Sequence, residues 1–328
     1  MKRGIILSVA LWVGLFSAAG SAAGHKPTEI SIGYLTQWPS PAQFAQDTKT
    51  FDFALGLSVN WVPFDDGNAM NTALAEKRVQ IAYSQGHVPF LVGITEGLDL
   101  TMVGIAGVYP ENDNCIVPDD VGITRDNAAL LAGSKVAVSP GSLSHYRMLR
   151  VLEHLGIDES QVEIVATDDG TATASALQQG EVVMACASGG VLRAIRTLGK
   201  PLLSGAEQEA LGLRLFDAIT VSTAFMNEHP EMVQAFMDVV GAANEQWQLN
   251  PGPMRAAIAR AAQMDQGVAD RALSEFRFPS IEQQKSEAWM GAEVGDYISD
   301  LADFLATHGQ LGEPLENYDR FVTTRFLR

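Results

Sequence analysis

The chain has 328 residues, with 39 acidic against 22 basic side chains and a formal charge of −17. That length suits two domains of ordinary size, and that charge argues against nucleic acid or an anionic membrane surface as the partner. Two cysteines make no disulfide framework, and six scattered histidines with no His-x-x-x-His make no built-in metal site, so neither metal nor cofactor is expected.

The chain opens on Met1-Lys2-Arg3, an apolar stretch over 4–16 and small residues ending in Ser21-Ala22-Ala23. This is the pattern of a secretory signal cut after residue 23; the apolar run falls short of the roughly 20 residues of a membrane span. Strands are predicted over 29–34, 58–62 and 79–83, with helices over 44–55 and 69–76 between them. Asp65 begins a glycine-containing turn and reads there as an Asx-turn or cap. Ser84 to Pro89 leads into another helix, and 100–108, apolar apart from Thr101, reads as a strand buried on both faces. After a polar passage at 109–114, strands follow at 115–117, 136–138, 162–165 and 182–187, with helices between. A strand at 219–223 crosses back, and four helices close the chain over 230–247, 254–262, 268–275 and 281–304. This alternation implies two mostly parallel α/β lobes. Residues 24–117 together with 219–328 form the first, and 118–218 form an inserted second. Ligands of open α/β sheets bind where the strands end, here in a cleft between the lobes, and hinge closure over the ligand is the expected motion.

Within this frame, Ser139-Pro140-Gly141-Ser142-Leu143-Ser144-His145-Tyr146 is a strand-to-helix turn. A helix N-terminus with two hydroxyls and a histidine suits a small oxyanion; the plainer reading is a helix cap. Asp217 stands alone in the apolar run Leu215-Phe216-Asp217-Ala218-Ile219, where burying a carboxylate without a cation is costly. A hinge hydrogen bond is its plainer reading. Cys115 and Cys186 are expected to be buried thiols, a single bridge being the alternative.

Several segments, in this order and spacing, carry a family likeness over nearly the whole mature chain. They are Gly33-Tyr34-Leu35-Thr36, Phe64-Asp65-Asp66-Gly67, Val79-Gln80-Ile81-Ala82 with Ser84 to Pro89, Ser142-Leu143-Ser144-His145-Tyr146, Asn227-Glu228-His229-Pro230-Glu231 and the ending Asn317-Tyr318-Asp319-Arg320-Phe321. The sequence resembles the periplasmic taurine- and alkanesulfonate-binding components of ABC importers. The resemblance implies a type II periplasmic-binding-protein fold, a periplasmic monomer, a small sulfonate ligand and delivery to the membrane subunits of a permease, without catalysis. It implies that Ser142, Ser144 and His145 hold the sulfonate, that Ser84, Gln85 and Gly86 face it from the other lobe, and that Asp217 faces an amino group. One departure stands out. Where the taurine binders carry an aromatic residue, this chain has Ser188 beside Gly189 and Gly190. Trp38, in the first loop, could supply that wall from the other side, and aromatic residues near a carboxylate suit an ammonium or quaternary ammonium group. Tyr83, Tyr109 and Tyr146 also sit near predicted strand ends, with core or rim as the plainer reading for Tyr109 and Tyr146, and Asn112-Asp113-Asn114, where the chain first crosses between lobes, reads as a ligand contact or a turn. The alternatives are a receptor of the same fold for choline sulfate, nitrate or a thiamine precursor, or a secreted serine hydrolase, for which the chain has no Gly-x-Ser-x-Gly elbow.

Overall fold

The computed structural model describes residues 27–36, 38–64, 67–168 and 170–328. The signal segment and Asp65 lie outside the described residues. Among the described residues, ten strands form two five-stranded sheets. The first has the order β2-β1-β3-β10-β4, built from β1 (Glu29–Leu35), β2 (Ser58–Phe64), β3 (Ile81–Gly86), β4 (Leu100–Val108) and β10 (Phe216–Ser222). The second has the order β7-β6-β8-β5-β9, built from β5 (Asp113–Pro118), β6 (Lys135–Val138), β7 (Glu163–Ala166), β8 (Met184–Ser188) and β9 (Gly199–Lys200).

In each sheet one strand runs against the others. β10 is antiparallel to both β3 and β4, and β5 is antiparallel to both β8 and β9. These are the strands that carry the chain between lobes, and each begins where its parallel neighbours end. Asp217 is thus in register with Gly86 and Gly107, and Asp113 with Ser188. Because β5 pairs in the second sheet, the first passage falls at Tyr109 to Asn112, ahead of the expected boundary at 117. Because β10 begins at Phe216, the return falls ahead of 219.

The core follows the hydrophobic pattern. Every residue of β4 is buried, as its unbroken apolar run predicts. The helices Pro230–Leu249 and Glu293–Thr307 turn Phe236, Met237, Val240, Ile298 and Leu301 into the same core as β1, β3, β4 and β10. Two expected helices are broken. The stretch 44–55 divides at Thr48 and Lys49, with Lys49 in the left-handed region. The stretch 281–304 divides at Ser286 and Ala292, where Trp289 turns inward to pack edge-on against Phe216 and under Arg214.

Cys115 and Cys186, expected as thiols, form a disulfide. They lie directly opposite each other on antiparallel β5 and β8, an adjacency that a spacing of 71 residues conceals. A link across so long a loop restricts the unfolded chain, so reduction should cost about 2–4 kcal/mol of stability. Urea unfolding with and without dithiothreitol measures this, and identical curves would mean that the bridge contributes nothing.

Candidate functional site

At the edge where the parallel strands of the first sheet end, Asp217 is the second residue of β10 and is almost wholly buried. Ser84 Oγ donates to its Oδ2 and Tyr109 OH donates to its Oδ1, each at 2.7 Å. No arginine, lysine or histidine pairs with it among the described residues. Burial pushes the carboxyl up to about 6, against the two hydroxyl hydrogen bonds that favour its ionised form. Tyr109 is held well above the ordinary tyrosine range by burial and then by Asp217 itself, so its hydroxyl keeps the proton it donates. Ser84 takes φ of +66°, a left-handed conformation that non-glycine residues seldom adopt. The backbone accepts this strain while the hydroxyl is held on the carboxylate, a pattern found at binding sites. Gly86 pairs with Asp217 in the ladder, and a Cβ there would stand 3.9 Å from Asp217 Oδ1. Behind this corner, His87 Nδ1–H donates to the Phe216 carbonyl at 2.8 Å and Nε2 accepts from Tyr297 OH at 3.1 Å. Burial holds the ring neutral, its pKa pushed down to about 4.

The second lobe repeats the arrangement. Asp113 opens β5, is buried, and accepts from Ser144 Oγ at 2.7 Å through Oδ2. Arg147 Nε, itself 1% exposed, lies 3.7 Å from Oδ1. Here too burial prevails over the neighbouring guanidinium and hydroxyl, raising the carboxyl to about 6. Ser188, at the end of β8 beside Asp113, is exposed and makes no capping bond to the helix Gly189–Ile195 that it precedes.

The turn before the helix Leu143–His154 behaves mainly as a cap. Gly141, at φ +69°, lets the chain reverse and donates its N–H to His145 Nδ1 at 3.1 Å. Ser142 Oγ donates to the Ser139 carbonyl at 2.7 Å and accepts from His145 N–H at 3.2 Å. The His145 ring packs against Phe304 and His308 of the helix Glu293–Thr307, its pKa lowered to about 4 by burial and then by His308. It therefore brings no positive charge to an anion. Ser142→Ala should cost about 1 kcal/mol of stability, the usual worth of an N-cap, read from the urea midpoint; no change would contradict the capping role. Gln85 is also engaged in the first lobe. It accepts from Thr220 Oγ1 at 2.5 Å, donates to Asn71 Oδ1 at 2.6 Å and is fully buried.

A cavity of about 260 Å³ lies between the lobes, lined by Trp38, Met264 and Phe276 from the first and by Asn112, Gly189 and Arg193 at the junction and on the second. Arg193 and Glu275 pair across it at 3.4 Å. Trp38 packs on Tyr109 with centroids 5.1 Å apart, which joins the cavity wall to Asp217. A larger cavity of about 720 Å³ lies among Trp247, Phe278 and Trp289 of the C-terminal segment and holds no buried carboxylate.

The structure thus brings Trp38, Ser84, Gly86 and Asp217 to one corner and Ser144 and Ser188 to the facing lobe. Gln85, Ser142 and His145 are committed elsewhere. Phe276 carries no signal in the sequence, whereas Asn112-Asp113-Asn114 reads there as a ligand contact or a turn and Tyr109 as a pocket aromatic or rim. Asp113 and Tyr109 flank the first passage between lobes, and that position is the signal that marks them.

The NMT1/THI5-like family model matches residues 47–252. The chain is 27% identical over 305 residues to the taurine-binding periplasmic protein of Escherichia coli strain K12, covering 91% of this chain and 92% of that one. Its fold matches the periplasmic aliphatic sulphonate binding protein SsuA of Escherichia coli with a TM-score of 0.68 and 20% identity, over 90% of this chain and 96% of that one. It also matches the desulfurization enzyme DszB, with a TM-score of 0.60 and 17% identity, over 92% of this chain and 98% of that one. The architecture is that of a periplasmic binding protein.

Proposed function

The chain belongs to the NMT1/THI5-like family, and from that premise we propose that it is the solute-binding component of an ABC importer. In this reading it works as a periplasmic monomer. It captures taurine or a related small sulfonate with a cationic end between its two lobes and delivers it to the permease. The observation that carries the reading is Asp217, a buried carboxylate at the lobe junction held by two neutral hydroxyls and no cation. Such a charge costs stability unless a partner arrives, and a ligand ammonium is that partner. Ser188 and the backbone N–H groups of Leu143 and Ser144 at the start of the helix Leu143–His154, which lack intrahelical acceptors, offer donors to the anionic end from the facing lobe, while the Ser144 hydroxyl is given to Asp113. The likeness to a taurine-binding and a sulphonate-binding protein supports the same class of ligand.

Because a desulfurization enzyme shares the fold, the choice between capture and catalysis rests on the side chains. Ser142 Oγ and the His145 ring point to different backbone partners and form no nucleophile–base pair. The two cysteines are joined to each other. These features support a receptor.

Calorimetry on protein that has been unfolded, dialysed and refolded tests the reading, with taurine, ethanesulfonate, choline sulfate, sulfate and nitrate as ligands. Binding of an amino- or ammonium-bearing sulfonate or sulfate ester ahead of inorganic sulfate and nitrate is expected. Binding of nitrate alone, or of none of the panel, would overturn it.

A further inference from the structure

The cavity between the lobes has one aromatic side, and facing it are Asn112, Gly189 and Arg193, the last paired with Glu275 across the opening. On the first lobe, Trp38, Tyr109 and Phe276 form a closed triangle of rings. The centroid distances are 5.1 Å for Trp38–Tyr109, 4.9 Å for Trp38–Phe276 and 5.3 Å for Tyr109–Phe276. Phe276 reaches this place because its neighbour Arg277 exchanges backbone hydrogen bonds with Val108 at the end of β4. Trp38 and Phe276 are half-buried and line the cavity, while Tyr109 lies behind them with its hydroxyl on Asp217. On the second lobe the facing chain is Ser188-Gly189-Gly190, and Gly189 at φ +57° has a backbone that side-chain-bearing residues rarely adopt. The backbone itself thus keeps that wall low.

We infer, resting on the receptor reading above, that the ligand's cationic end is a methylated ammonium, tertiary or quaternary, with Trp38 and Phe276 setting that preference. A primary ammonium carries three N–H donors and needs acceptors for them. Each oxygen of Asp217 already accepts a hydroxyl and the carboxylate is buried behind Tyr109. The one carboxylate that lines the cavity, Glu275, is engaged by Arg193, and the rest of this side consists of rings, the Met264 thioether, Val268 and Ala272. A trimethylammonium group needs no acceptors. It spreads its charge over methyl groups that ring faces attract, it fills more of a cavity of about 260 Å³, and it leaves the Asp217 hydrogen bonds in place while the carboxylate supplies the counter-charge from beneath Tyr109.

The test is calorimetry on the refolded, ligand-free full chain with taurine, N,N,N-trimethyltaurine and a carbon isostere in which a tert-butyl group replaces the trimethylammonium. Trimethyltaurine is expected to bind about tenfold tighter than either of the others, the scale of a partly desolvated cation–π contact. Phe276→Leu keeps apolar volume without a ring, and it is expected to weaken trimethyltaurine about tenfold more than it weakens taurine. Trp38→Leu is expected to do the same. Taurine binding tighter than trimethyltaurine to the unsubstituted protein would overturn the inference and leave the receptor reading intact, as would equal binding of trimethyltaurine and its isostere. Silence from all three sulfonates would overturn both.

Discussion

Replacing Arg147 by alanine is expected to destabilise the protein by about 3–5 kcal/mol, the usual cost of removing one partner of a buried ion pair. Arg147 is 1% exposed and Asp113 is 2% exposed, so solvent cannot take over for either. Arg147 Nε faces Asp113 Oδ1 at 3.7 Å, and Nη1 lies 3.5 Å from the Leu213 carbonyl. Asp113 begins the strand after the first passage between lobes, and Leu213 lies just before the second return. One guanidinium therefore ties both passages to the helix Leu143–His154. Without it, Asp113 keeps only the Ser144 hydroxyl, and a carboxyl that burial already raises to about 6 would rise further. The loss would appear as a lower urea midpoint at pH 7.5. The double variant Arg147→Met with Asp113→Asn removes both charges and should lose less than Arg147→Ala alone. A single-variant loss below about 1 kcal/mol would show that the pair is better hydrated than its burial implies.

Asp217→Asn is expected to weaken binding of a cation-bearing sulfonate by about 2–5 kcal/mol, the cost of deleting one member of a buried charge pair. Ethanesulfonate, which has no cation, should lose little. The substitution preserves shape: the amide oxygen still accepts from Tyr109, and the Ser84 hydroxyl can turn to accept from the new NH₂. The pH dependence has a fixed sign. The ligand-free carboxyl titrates near 6, and only its ionised form attracts a cation. Affinity for the cation-bearing ligand should therefore fall about tenfold from pH 8 to pH 5 in the native protein and stay flat in the variant. Stability runs the other way. The folded pKa of about 6 lies above the ordinary 3.8, so the ionised group disfavours folding above pH 6. That penalty fades as pH falls from 6 toward 4. Asp217→Asn should accordingly be more stable than the native protein at pH 8, by about 3 kcal/mol for a shift of this size, and equal to it near pH 4. Equal losses of affinity for both ligand types would remove Asp217 from the cationic end of the ligand.

Much of the architecture was legible because apolar runs of strand length recur at α/β spacing. The run over 100–108, apolar apart from Thr101, reads as a strand buried on both faces, and it is. Asp217 stands out for the same reason: a lone carboxylate inside an apolar run demands a partner, and within the chain it finds the hydroxyls of the plainer hinge reading. The least legible residues are those placed by register rather than by local pattern. Asp113 sits in a polar passage at the first crossing that reads as a ligand contact or a turn, and only the pairing of β5 with β8 brings it to Ser188 and Ser144. Phe276 lies 168 residues beyond Val108, and the bridge at Arg277 carries it back to Trp38. The disulfide has the same origin, since Cys115 and Cys186 meet only once two strands align. The turn at Ser142 carries two readings for another reason. A serine before a helix is the signature both of an N-cap and of an anion donor, and here its hydroxyl is held by Ser139 and His145.

Recognition turns on where the ligand's positive charge rests. A crystal structure of the protein soaked with an ammonium-bearing sulfonate tests this most directly. The ligand is expected between the lobes, its nitrogen over Trp38 and Phe276 on the Asp217 side and its sulfonate toward Ser144 and Ser188. A ligand seated instead in the larger cavity by Trp247 and Trp289, or turned so that its sulfonate meets Asp217, would contradict it.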